Sequence, residues 1–190
     1  MAVIRTQLER LREVAMDQHG FVTTAQALGE GVTHAELSKL VARDRLDRVA
    51  HGVYRVPQVP ETDSDRYALA VLWTGAPEAC LSHDTALMAW DITDINPDRT
   101  HLTVAKGRRL RRAGAGSYVV HHEDLASGDL AWWRGIRVTN VPTTIRQCID
   151  AEVPTYLIRQ ALERAGRTSL LRPADQQRLT AELEARDGNR

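Results

Sequence analysis

"GVTHAELSKLVARDRLDRVAHGVYRV", residues 31–56, reads as a helix that enters at a threonine cap and leaves into a small hairpin rich in arginine. Thr33 with Glu36 three positions later has capping-box spacing and opens a helix to about Arg43. "RLDRVAHGVYRV" then reads as two short strands around His51–Gly52. On a helical wheel, Leu37, Leu40 and Val41 share the core side, and Ala35, Ser38, Lys39, Ala42 and Arg43 share the other. That outward side has no acid at its centre. Small residues between serine, lysine and arginine would let a helix lie close in a DNA major groove, with cations reaching phosphates or guanine edges. The hairpin repeats the pattern, setting Arg45, Arg48, His51 and Arg55 against Leu46, Val49, Val53 and Tyr54.

Upstream, Leu8, Leu11, Val14 and Ala15 recur at helical spacing, so Arg5–Gln18 is expected to be a helix ended by Gly20. "TTAQALG" carries Thr23 and Gln26 in capping-box spacing, with Gly29 as a helix stop. Helix, short helix, turn, helix, hairpin is the order of a winged helix-turn-helix, expected over residues 1–56. "VPQVPETDSD", Val56 to Asp65, is the expected boundary. Beyond it, residues 61–190 alternate: helices over Asp65–Thr74 and His83–Trp90, strands at "THLTVA", "SYVVHH" and "GIRVTNV", then three helices opening at Pro142, Pro154 and Pro173. The expected class is α+β, a winged helix followed by a mixed domain with a helical tail.

The chain has 190 residues, 43% hydrophobic and 26% charged, with zero formal net charge. It is therefore not a generic polyanion binder, but its charge is segregated. Between Arg99 and Ser117 lie six cations and no acid, whereas Asp63, Asp65, Glu78, Asp84, Asp91, Asp94 and Asp98 form an acidic run. Cys80 and Cys148 sit in apolar patterns and read as buried thiols, with no zinc-ligand spacing. The absence of an apolar leader or a long apolar run leads to a cytoplasmic expectation with no membrane partner.

The second unit offers several chemical candidates. Lys106, Arg108, Arg109, Arg111 and Arg112 form a dense positive loop that could clamp phosphate backbone or dock on an acidic protein. His121 and His122 are strand neighbours pointing to opposite faces, so they cannot share an ion. A metal-dependent nuclease pattern would pair Asp98 and Lys106 with a carboxylate at position 104, which is Val104. Ser82, His83 and Asp84 are consecutive and cannot form a triad among themselves; Trp132 and Trp133 could form a partner surface, but beside a hairpin they read rather as partly core. No catalytic residue, metal or cofactor is expected.

The segments "HGFVTTAQALGEGVTHAELSKLVARDRLDRVAHGVYRV", "LSHDTALMAWDI", "HLTVAKGRRLRR", "YVVHHEDL" and "GIRVTNVPTTIRQCID" together resemble the AbiEi family of bacterial antitoxins, over roughly Gly20 to Ala151. The resemblance implies a regulator of a type IV toxin–antitoxin system, whose winged helix binds inverted repeats in its own promoter. It implies a second domain that opposes a nucleotidyltransferase-like toxin, and a DNA role for Ser38, Lys39, Arg43, Arg48 and Arg55. Two molecules are expected on one operator, from a chain that is a monomer in solution or a dimer on DNA. Two other readings stay open: a protein-docking winged helix without DNA affinity, and a degenerate nuclease.

Overall fold

The computed structural model describes residues 6–110 and 115–188. They form a mixed α/β architecture in two compact units, Met1–Pro77 and Glu78–Arg190. Among the described residues no helix is long and apolar enough to cross a membrane.

The first unit is punctuated by three capping boxes. Thr6 with Glu9 opens α1 (Gln7–Met16), Thr23 with Gln26 opens α2 (Thr24–Gly29), and Thr33 with Glu36 opens α3 (His34–Ala42). Each threonine hydroxyl accepts an otherwise orphaned backbone N–H of the first turn, and each Glu or Gln reaches back to the cap. The first helix is shorter than its hydrophobic period suggests because Thr6 and Asp17 take the cap positions. The second ends at a Glu30 cap, and the chain reverses at Gly31 with φ +74° rather than at Gly29.

Strands β1 (Phe21–Thr23), β2 (Asp47–Ala50) and β3 (Val53–Arg55) form an antiparallel sheet in the order β1-β3-β2. Leu11, Ala15, Val22, Ala27, Val32, Leu37, Leu46 and Val56 make its buried core. The expected division at residues 57–60 is not where the unit ends. Val56 donates its N–H to the Gly20 carbonyl, Arg55 reaches the Val59 carbonyl, and α4 (Asp65–Thr74) packs on β1 and β3. The prolines therefore punctuate the unit without closing it.

The second unit is a five-stranded sheet with helices. In chain order it contains β4 (Cys80–Leu81), α5 (His83–Ala89), β5 (Thr100–Val104), β6 (Tyr118–His122), β7 (Leu130–Trp133), β8 (Ile136–Thr139), α6 (Val141–Asp150), α7 (Thr155–Arg167) and α8 (Pro173–Gly188). The strand order is β6-β5-β4-β8-β7, with β4–β8 and β5–β6 parallel and the other two pairs antiparallel. Leu87, Ile145, Ile158, Leu162, Leu179 and Leu183 belong to one buried cluster that draws on all four helices. Trp90 ties α5 to the sheet by donating its indole N–H to the Thr139 carbonyl at 2.9 Å.

Candidate nucleic-acid interface

Helix α3 is anchored by Leu37, which is 1% exposed, with Leu40 and Val41 packed on the same core. Burying a side chain of that size contributes on the order of 2 kcal/mol and fixes the helix's rotation. With that side pinned, Ala35, Ser38, Lys39, Ala42 and Arg43 are all exposed. The Ser38 hydroxyl bonds back to the His34 carbonyl at 3.0 Å, so its oxygen stays on the helix surface. Glu36, the acid within α3, is engaged at the cap: the Thr33 backbone N–H and hydroxyl hold its carboxyl below the ordinary range.

The chain leaves α3 through Asp44, in the left-handed region at φ 52°, and enters the hairpin. Arg45, Arg48 and His51 are exposed there, as is Val49 at 39%. Strand β2 carries a register shift between Arg48 and Ala50, which increases the local twist of the hairpin. Asp44 and Asp47 are also exposed, so the cationic surface has acids within it.

Arg55 departs from the expected interface. It is 8% exposed, and its Nη1 donates to Asp65 Oδ2 at 2.8 Å. It also reaches the carbonyls of His19 and Val59, and its guanidinium lies 5.3 Å from the Phe21 ring centroid. Arg55 braces the first unit from inside. Gly20, at φ +80°, makes room for it: a Cβ there would stand 3.2 Å from Arg55 Nη1.

The arginine loop is likewise divided. Arg108 is held in a bidentate pair with Glu78, Nε to Oε1 at 2.9 Å and Nη2 to Oε2 at 2.8 Å. Lys106 and Arg109 are exposed, and the Lys106 backbone N–H donates to Asp124. Arg111 and Arg112 lie outside the described residues.

A polar cluster in the second unit has no counterpart in the sequence reading. His83 at the start of α5 stacks on His121 of β6, ring centroids 3.5 Å apart and planes 12° from parallel. His121 Nε2 lies 3.2 Å from His101 Nδ1 on β5, and His101 Nε2 lies 4.0 Å from Asp84 Oδ2. Burial, followed by the neighbouring histidines and Arg146, pushes His83 down to about 3; burial and His101 take His121 to about 4. Burial and Arg99 lower His101, whereas burial raises Asp84. Among the described residues no group of three or more His, Cys, Asp or Glu side chains is placed to hold a metal ion.

Of the nuclease positions, Val104 is 1% exposed inside the sheet and supplies no carboxylate, and Asp98 is exposed on the segment before β5. Cys80 and Cys148 are free and buried, with the Cys80 thiol pushed up to about 12 by burial. Trp133 is half-buried, but Trp132 is 65% exposed.

Residues 9–57, from within α1 through the hairpin, match the family model described as "Transcriptional regulator, AbiEi antitoxin". No curated protein matches the chain. The crystal structure of the RV2827C protein from Mycobacterium tuberculosis is similar at a TM-score of 0.51 and 17% identity, over 96% of this chain and 78% of that one. At that identity the likeness is one of fold.

Proposed function

We propose that the chain is a DNA-binding transcriptional regulator and antitoxin of the AbiEi kind, with a winged helix-turn-helix in its first unit. In this reading α2 and α3 are the helix-turn-helix, α3 enters the major groove, and the β2–β3 hairpin is the wing. The contacts come from Ser38, Lys39, Arg43, Arg45, Arg48 and His51. The operator is an inverted repeat in the chain's own promoter, occupied by two molecules. Residues beyond the first unit oppose a nucleotidyltransferase-like toxin, and Lys106 and Arg109 add phosphate or toxin contacts. No catalytic step is assigned to the chain.

The observation that carries this reading is the exposed face of α3. Ala35, Ser38, Lys39, Ala42 and Arg43 are all solvent-facing, without an acid among them, and they lead directly into exposed Arg45 and Arg48. A helix that only faced water would more often mix acids with bases along its surface. Asp44 and Asp47 keep the total charge modest, so affinity depends on a few placed cations.

The test is a gel-shift titration on the DNA upstream of the gene, at two salt concentrations, beside an unrelated fragment of equal length. The reading expects a promoter-selective shift that weakens with salt, and a loss of about one unit of log–log salt slope for each of Lys39→Ala and Arg48→Ala. Equal shifts on both fragments, or none, would make the first unit a protein-docking module instead.

A further inference from the structure

Among the described residues, strand β7, Leu130–Trp133, ends the five-stranded sheet with only β8 beside it. Natural edge strands are blunted by charges, proline or bulges, because an open row of N–H and C=O groups invites another strand. The smaller sheet of this protein follows that rule: its edge strand β2 carries exposed Asp47 and Arg48 and a register shift. Strand β7 is short, at four residues, and the Arg137 guanidinium of β8 lies 5.5 Å from the Trp132 ring centroid, but the strand itself carries no charge, proline or bulge. Its sequence is Leu-Ala-Trp-Trp, its pairing with β8 runs unbroken from Leu130↔Thr139 to Trp133↔Ile136, and Trp132 is 65% exposed.

The direction of its free backbone groups follows from the register. The Asn140 N–H donates to the Asp129 carbonyl at 2.8 Å, so position 129 faces β8. Backbone groups alternate along an antiparallel pair, so Ala131 and Trp133 also face β8, and Leu130 and Trp132 turn theirs outward. The same alternation places the Leu130 and Trp132 side chains together on one face of the sheet.

The geometry points to a second copy of this chain as the occupant of that edge, paired antiparallel through β7 about a two-fold axis. With Ala131 opposite its own copy, each Leu130 lies opposite the other copy's Trp132. Two pairs of outward backbone groups are then satisfied reciprocally, and two aromatic–aliphatic contacts form on one face. Charge favours the same arrangement. Asp129 precedes the strand and Arg134 follows it, so antiparallel self-pairing brings the acidic end of one copy beside the basic end of the other. Parallel pairing would set like against like. Four residues bury less than the standard interface of about 1,600 Å², so the dimer is weak and depends on concentration. None of this depends on DNA binding.

Sedimentation of the full chain without DNA tests it, up to concentrations on the order of 100 μM. The expected mass rises toward twice the 21.2 kDa of one chain, and Trp132→Lys returns it to that of one chain. A second measurement separates pairing from misfolding. Opposed Ala131 positions form a non-hydrogen-bonded pair with Cα atoms about 4.5 Å apart, inside disulfide range. Ala131→Cys is expected to cross-link on oxidation and Leu130→Cys is not. A wild-type mass that stays at one chain, a dimer that survives Trp132→Lys, or equal cross-linking of the two cysteine variants would overturn the proposal. A single-chain mass with Trp132-dependent binding of an oligonucleotide would give the surface to nucleic acid instead.

Discussion

Arg55 and Asp65 are joined at 2.8 Å across the two prolines that divide the sequence, and both side chains are largely buried. Burial alone would raise the Asp65 carboxyl, but hydrogen bonds from Thr62 and Arg55 outweigh it and leave the group below its ordinary range. The pair fastens the start of α4 to the end of β3.

Arg55→Ala is therefore expected to act on stability. Removing one partner of a buried pair leaves the other charge uncompensated, at a cost of about 3 kcal/mol. The urea midpoint should fall accordingly, while the salt slope of DNA binding, measured where the variant remains folded, stays that of the wild type. A reduced slope with an unchanged midpoint would return Arg55 to the DNA surface.

Arg108→Ala should leave the salt slope unchanged, because its guanidinium is already committed to Glu78. Arg48→Ala, removing an exposed cation of the hairpin, should lower the slope by about one unit. The same titration run on both variants checks the contrast.

Thr33→Ala removes the cap from α3, where the hydroxyl accepts the Glu36 N–H. A cost of about 1 kcal/mol is expected, read as a lower melting temperature. Thr33→Ser should recover most of it, since the cap needs only the oxygen.

Acid should weaken the second unit through its histidines. His83, His101 and His121 all have proton affinities depressed in the fold, so the unfolded chain takes up protons first. Their contribution is complete above the ordinary value of 6.5 and is lost as pH falls toward 4. One such histidine removes up to about 1.4 kcal/mol per pH unit. Asp84, raised by burial, works in the opposite direction within the carboxylate range. Urea midpoints from pH 7.5 to 5 should decline, and His83→Phe should flatten that decline.

What could be read in the sequence was local. The caps at Thr23 and Thr33 are visible because hydroxyl and acceptor stand three residues apart, and the wheel of α3 places Leu37 inside and Lys39 outside without any knowledge of partners. Strands β1 and β4 escaped because they are three and two residues long and pair with distant segments. The inward turn of Arg55 is hidden for a related reason: its partner Asp65 lies beyond apparent linker prolines. One signal was available: Arg55 shares strand parity with Val53, and Val53 is 1% exposed. The histidine cluster had no such signal. Which face His101 and His121 share depends on the β5–β6 register, in which Thr103 lies opposite His121, and that register is not written in either strand.

The order β6-β5-β4-β8-β7 makes Cys80–Leu81 the seam of the larger sheet: two residues join the β5–β6 half to the β7–β8 half. The β7–β8 half closes over a tight turn, but the seam must bring together positions as distant as Leu81 and Val138. Loop closure of that length costs entropy before its contacts repay it. The seam is therefore expected to form late during folding, which pulsed alkylation of Cys80 during refolding would check. The Cys80 thiol, fully buried once the seam has closed, is a built-in chemical clock for that event, open to alkylation before closure and shielded after it.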